Sequence, residues 1–420
     1  MNRIEIAARW SVIAAYAAVA AVTQLLWVTF TPITTDAAAH WGVSVDAVGW
    51  LSLVFPLVYV LLSIPFGMAA DRSFRGALVW GAGLTVAGAA IRLAPGYGAV
   101  LAGQLVIAVG QPLVLNAVNK IAVLYAAPPK RPAAIAAGTA SLFVGIMISN
   151  VTVPFLMDWG GMSAVLWTQA AISLVAGLVL AFVLMRAVPL YGDEAAAGTA
   201  AVGAGGVDRA PVAASAAAAA LTALRDLREV WSARWVRVFS LLLFAGFGIF
   251  ITLATWLEVL ADGIGYNPVQ VGTGLGLMTA AGIVGAAVLP DWAMRGCRAR
   301  TLLALSLAVS AVLLVFLAAG MPYWLFLTLL GLAGLLLLAD LPIVLSFAEA
   351  KAEPRSAGAV TGLLLLFGNL GGIVLSLLVQ LLLEERVIAI GALVVVTALV
   401  APFALRFPAQ GAGRTSKPDK

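Results

Sequence analysis

From Trp10 to Thr35, and again from Thr301 to Ala339, the chain carries no charged side chain, and shorter runs of the same kind recur along its length. A hydrocarbon core of about 30 Å takes about 20 apolar residues of helix to cross. Inside lipid only helices and closed barrels satisfy every backbone polar group, and runs this long predict helices. Reading between hydrophilic and Pro/Gly breaks places spans near 10–34, 46–70, 77–94, 98–125, 133–156, 163–186, 237–261, 269–290, 301–320, 322–346, 357–383 and 387–406. Six of these twelve lie on either side of one long gap. The expected fold is an all-α membrane protein with two six-helix bundles. Composition agrees, since 63% of residues are hydrophobic and 10% charged, against about 25% charged in a soluble domain. The first run exceeds a signal-peptide core and no small-residue cleavage site follows it, so it is expected to stay as a span.

The net charge of +5 is a topology signal. With both termini placed in the cytoplasm, the inner segments hold 21 of the 24 basic residues, leaving Arg92 and Arg386 outside and Lys120 within a span. Such a bias fixes orientation by the positive-inside rule. The basic residues form no stripe or block, which argues against a nucleic-acid partner. Cys297 is the only cysteine and His40 the only histidine, so no internal disulfide can form, and metal sites or Cys–His catalytic pairs have almost nothing to build on. No metal, cofactor or enzymatic activity is expected.

The expected division is a first bundle over residues 1–187, a cytoplasmic linker over 188–235, a second bundle over 236–406 and a tail over 407–420. The linker opens with "YGDEAAAGTAAVGAGGVDRAP", too poor in large side chains to build a core. Its later part sets Leu221, Leu224, Leu227 and Trp231 at helical spacing against Arg225, Arg228, Glu229 and Arg234, the pattern of an amphipathic helix on a membrane surface. Six spans, a linker and six more is the arrangement of two repeats related by a pseudo-two-fold axis. Glycines at 272, 276, 282 and 285 in the eighth span, with Gly358 and Gly362 in the eleventh, suit close helix packing.

After the second span, "SIPFGMAADRSFRG" brings charge back abruptly. Gly67, Asp71, Arg72 and Arg75 match the loop signature of the major facilitator superfamily, which the chain resembles, while Phe74 and Gly76 depart from it. The resemblance implies a charge latch that holds the halves together in the outward-open state, with Asp71 facing a basic group on span four, for which Lys120 is available. It also implies a secondary carrier working by alternating access.

Candidate solute contacts follow from polar residues inside spans. Thr23, Gln24, Trp27 and Thr31 share one face of the first helix, and Gln104 and Gln111 share one face of the fourth. Thr252, Thr255, Trp256 and Glu258 fall in the seventh span and Asn369 in the eleventh. An indole so placed can hold a cation by about 0.5–2 kcal/mol. Intramembrane carboxylates are functional candidates, and Asp340 and Glu258 are the proton-coupling pair expected here. Glu349, close to Lys351 and Arg355, reads as a gate or surface residue.

Four segments resemble a narrower branch, the feline leukaemia virus subgroup C receptors, linked to uptake of choline, ethanolamine and haem: "GWLSLVFPLVYVLLSIP", "GQLVIAVGQPLVLNAVNKIA", "TWLEVL" and "TGLLLLFGNLGG". The resemblance places Trp27 where choline carriers contact the quaternary ammonium. The branch's glutamine in span five falls at Phe143, its glutamine in span eleven at Asn369, and the asparagine that follows Thr-Leu-Leu within its span seven at Glu258. The function expected is a secondary active transporter, monomeric and in the cytoplasmic membrane among its lipids, moving a small organic solute, with an organic cation or a polar metabolite as the class to test first. A proton-coupled exporter of drugs or metabolites is the alternative. A non-transporting receptor or a membrane enzyme ranks behind both, and no Walker-type phosphate loop occurs to couple ATP directly.

Overall fold

The computed structural model describes residues 3–127, 130–190, 230–296, 298–351 and 357–407. Helices dominate and no strand occurs among the described residues. The expected amphipathic helix of the linker lies almost wholly outside the described residues, as does nearly all of the tail. Among the described residues, eleven helices are long and apolar enough to cross a membrane. One runs 54 residues from Ala133 to Arg186, about 81 Å at 1.5 Å per residue, far more than one bilayer core needs. It breaks at Gly160 and Gly161, where Gly161 takes φ 66°, a left-handed backbone that favours glycine. Divided there, the eleven become the twelve spans expected.

In chain order the helices are α1 (Arg3–Trp27), α2 (Thr34–Trp41), α3 (Val45–Arg72), α4 (Phe74–Ile91), α5 (Tyr97–Leu115), α6 (Val118–Tyr125) and α7 (Arg131–Arg186). They continue as α8 (Arg234–Asp262), α9 (Pro268–Gly296), α10 (Ala299–Ala319), α11 (Tyr323–Lys351), α12 (Ala357–Leu381) and α13 (Arg386–Ala404).

Two expected spans are interrupted. Span one ends as helix at Trp27, passes through a turn and the 3-10 segment Thr31–Ile33, and resumes as α2. Pro32 has no N–H to continue the ladder, and the hydroxyls of Thr29, Thr31 and Thr34 donate to carbonyls three or four residues back. Span four, expected to be continuous over 98–125, is broken at Asn116 and Ala117 between α5 and α6, one turn after Pro112. Irregular backbone at membrane depth is tolerated where protein surrounds it, and the residues from Val28 to Ile33 are all buried.

The chain packs as two compact units, one of Met1–Thr199 with Ala254–Ala280, the other of Ala200–Leu253 with Ala281–Lys420. Without a hydrophobic force between helices in lipid, small residues let backbones approach. In the first unit, a Cβ on Gly88 would meet the Gly103 carbonyl oxygen at 2.5 Å, so α4 and α5 touch backbone to backbone. A Cβ on Gly145 of α7 would overlap the Ala21 carbonyl of α1, and one on Gly272 of α9 the carbonyl of Asn150. In the second unit, Gly371 of α12 meets the Phe244 carbonyl of α8 and Gly285 of α9 that of Leu335 on α11. The expected packing role of Gly358 and Gly362 falls on side-chain positions outside the described ones, and Gly371 and Gly372 make the close approach on that helix.

Candidate functional site

Trp27 closes α1. Its Nε1 donates to the Ser52 carbonyl on α3 at 2.9 Å, and its ring lies against Phe55 with centroids 6.3 Å apart. The indole is half-buried and fixed in orientation by these two contacts. Gln24, one turn earlier, is 4% exposed and makes no side-chain hydrogen bond among the described residues. On α5 the two glutamines separate: Gln104 is fully buried with its Nε2 donating to the carbonyls of Leu26 and Leu51, whereas Gln111 is buried with Nε2 unpartnered. Gln104 therefore braces α1, α3 and α5, and Gln111 keeps its donor free.

Two groups from α8 belong to the same unit. Trp256 is fully buried, its ring over Gly49 of α3, with Nε1 unpartnered. Glu258 is 5% exposed and accepts hydrogen bonds from the backbone N–H of Thr35, at 3.3 Å, and from its hydroxyl. No cation is among those partners.

Residues that sequence reasoning passed over join them. Arg92, assigned to an outer loop by charge counting, is fully buried just past α4. It donates to Gln169 Oε1 at 2.7 Å, to Gln104 Oε1 at 3.4 Å and to the Thr29 hydroxyl at 3.4 Å, and its guanidinium sits 5.0 Å from the Phe30 ring centroid. A charge left out of the positive-inside pattern was the available signal. Asn150 on α7, within "GIMISNVTVP", is fully buried, accepts from Thr31 at 3.4 Å and leaves Nδ2 unpartnered. Its signal was an amide in an otherwise apolar run.

The expected cytoplasmic gate is described in part. The side chains of Asp71 and Arg72 lie outside the described ones, as does that of Glu349. Arg75 Nε donates to the Tyr125 hydroxyl at 3.1 Å and its Nη2 to the Ala187 carbonyl, tying the start of α4 to the ends of α6 and α7. Lys120 is half-buried on α6 and engaged with a neighbour.

In the second unit Asp340 is 3% exposed on α11. Ser306 of α10 donates to its Oδ2 at 2.6 Å, Oδ1 has no partner, and Gly246 of α8 leaves space that a Cβ would fill 2.7 Å from Oδ2. A buried carboxyl with one hydroxyl partner is a group whose single proton changes its whole environment. Asn369 is half-exposed on α12 and donates back to the Leu365 carbonyl at 2.9 Å. Of the seven expected solute contacts, six thus lie in the first unit and Asn369 in the second.

Residues 12–376 match the family profile of the Major Facilitator Superfamily. Solute carrier family 49 member A3 of Xenopus tropicalis is 24% identical over 393 residues, covering 89% of this chain and 77% of that protein. The MFS-type transporter YbcL of Bacillus subtilis is 32% identical over 157 residues, 36% of this chain and 39% of its own. Among solved structures, a bacterial homologue of the human lysosomal transporter Spinster, in an inward-facing and unoccupied conformation, superposes with a TM-score of 0.69 at 15% identity. That likeness spans 95% of this chain and 96% of the other, and it shows a shared fold. These relatives are transporters, not enzymes. With most of its length inside the family profile, the chain belongs to the Major Facilitator Superfamily and is a multi-pass membrane protein, a secondary transporter of small solutes that works by alternating access.

Proposed function

We propose that the solute is a small organic cation that also carries oxygen acceptors, and that it binds within the first unit. The observation that carries this reading is the set of unpartnered donors there: Gln111 Nε2, Asn150 Nδ2 and Trp256 Nε1, all buried. An unmet buried donor costs about 1–3 kcal/mol, and native proteins leave few, so a guest supplying oxygens recovers that cost. The Glu258 carboxyl and the fixed face of Trp27 suit the cationic end. The Xenopus relative belongs to solute carrier family 49, which includes the feline leukaemia virus subgroup C receptors, and this favours the same solute class.

The remaining parts of the proposal are a cytoplasmic membrane location with both termini inside, a monomer, and the two-bundle division at 1–187 and 236–406 with the linker between. Asp71, Arg72, Arg75 and Lys120 are assigned to the cytoplasmic gate, and Asn369 is assigned as a solute contact on α12. A second reading, proton coupling for export or uptake, is favoured by Asp340, whose carboxyl is buried with no cation among its hydrogen-bond partners.

Uptake of labelled choline and ethanolamine into proteoliposomes, with and without an imposed pH gradient, tests both. Saturable flux of at least one cation is expected, lowered about twofold to thirtyfold in Trp27→Ala and kept in Trp27→Phe, the range that a cation–aromatic contact of about 0.5–2 kcal/mol gives. No flux of either would overturn the cation class. Flux indifferent to the gradient would remove Asp340 and Glu258 as proton carriers.

A further inference from the structure

At the start of α8, the end of α11 and the residue pair beyond α13, the second unit holds a pocket of about 500 Å³ lined by Arg234, Trp235, Val238, Phe239, Lys351 and Arg406. Three cations line it, and among the described residues no carboxylate does. The Lys351 Nζ sits 5.7 Å from the Trp235 ring centroid and the Arg406 guanidinium 4.9 Å from that of Phe403. Among the described residues none of the three has an ion pair or a hydrogen bond from its charged head.

Two lining residues, Trp235 and Phe239, belong to an aromatic cluster whose phenylalanines are buried. Phe239 stacks on Phe407 at 4.5 Å, Phe347 meets Phe407 edge-on at 4.9 Å, and Trp235 meets Phe239 edge-on at 5.3 Å. The lining thus combines three cations with apolar side chains, at the end of a membrane bundle. A ligand that matches both has an anionic phosphate joined to a hydrocarbon body.

The first unit carries the same construction independently. Its pocket of about 140 Å³ is lined by Arg9, Trp10, Tyr125, Ala126, Ala127, Lys130 and Leu190, and Arg9 Nη1 is buried without a partner. In both units an Ala-Arg-Trp triplet falls near the start of the first long helix, at Ala8–Trp10 and at Ala233–Trp235, and a lysine joins the lining, Lys130 in one and Lys351 in the other. Positive charges at helix ends need not converge to set topology. Here they converge twice, on the same residue types.

We infer that the Arg234–Lys351–Arg406 pocket binds the headgroup phosphate of an anionic phospholipid, with its acyl chain against Trp235 and Val238. Basic pockets between helix ends recognise such headgroups, each cation contributing about a fivefold gain in affinity.

Native mass spectrometry of the full-length, delipidated protein tests this, with phosphatidylglycerol, phosphatidylcholine and inorganic phosphate as separate probes. The parent is expected to retain phosphatidylglycerol over phosphatidylcholine. Arg234→Gln, Lys351→Gln and Arg406→Gln each weaken that binding about fivefold, Arg234→Lys restores it, and Arg300→Gln, an exposed cation outside the pocket, leaves it unchanged. Each variant's melting midpoint in detergent reports its folding, so a loss of binding is read only from folded protein. Parent-level binding in the three folded glutamine variants, or equal retention of phosphatidylcholine, would overturn the inference. So would displacement of the lipid by inorganic phosphate at equal concentration, which would make the pocket a soluble-anion site.

Discussion

Arg92 illustrates what a single buried charge does in this fold. Its guanidinium reaches Gln169, Gln104 and Thr29, three residues on three different helical segments or their ends. Replacing a whole buried polar network by apolar groups can be neutral, but removing one member leaves the others unpaired. Arg92→Leu strips the Gln104 oxygen of its donor and leaves the Gln169 oxygen with the Thr29 hydroxyl alone, and is expected to cost about 1.5–3 kcal/mol, seen as a lower melting midpoint of the detergent-solubilised protein. An unchanged midpoint would contradict the bracing role. At this scale the sequence was legible in kind and not in partnership. Gln104 and Gln111 look alike on a helical wheel, seven residues apart, yet the first donates to two carbonyls and the second to none. Which amide is consumed depends on where neighbouring backbone carbonyls fall, and spacing along one helix holds no such information.

Span existence is written in apolar runs of membrane length, whereas span continuity is written in a few local atoms. The interruption after Trp27 arises from Pro32 and three threonine hydroxyls, and hydropathy is blind to both because threonine and proline barely lower an apolar average. Discontinuous helices are where carriers of this kind free backbone groups near their solutes. Here the two breaks follow Trp27 and Gln111, the residues that read as solute contacts. Helix contacts were legible as small residues, but their partners were not. Gly145 lies so close to the Ala21 carbonyl that Gly145→Val must push α7 from α1, and a destabilisation of at least about 1–3 kcal/mol is expected. Gly83→Val, facing open space on α4, is the matched control. Equal melting midpoints for the two variants would mean that the α1–α7 seam yields without cost.

Across the whole molecule, charge is sparse and placed where it acts. Two carboxyls, Glu258 and Asp340, are buried without a cation among their hydrogen-bond partners, one in each compact unit, while the cations that line the two basic pockets sit near helix ends. A protein that only spanned the bilayer would have no reason to keep unpaired donors and carboxyls at such depth, since each is expensive in lipid. A polar path that opens to one compartment at a time gives them one. The most direct measurement uses single cysteines, Gln24→Cys and Gln111→Cys, in a Cys297→Ser background, labelled by a membrane-impermeant reagent from each side of sealed vesicles. Alternating access predicts that both positions react, and that adding a transported solute shifts reaction from one side towards the other. Uniform protection of both positions from both sides would contradict it.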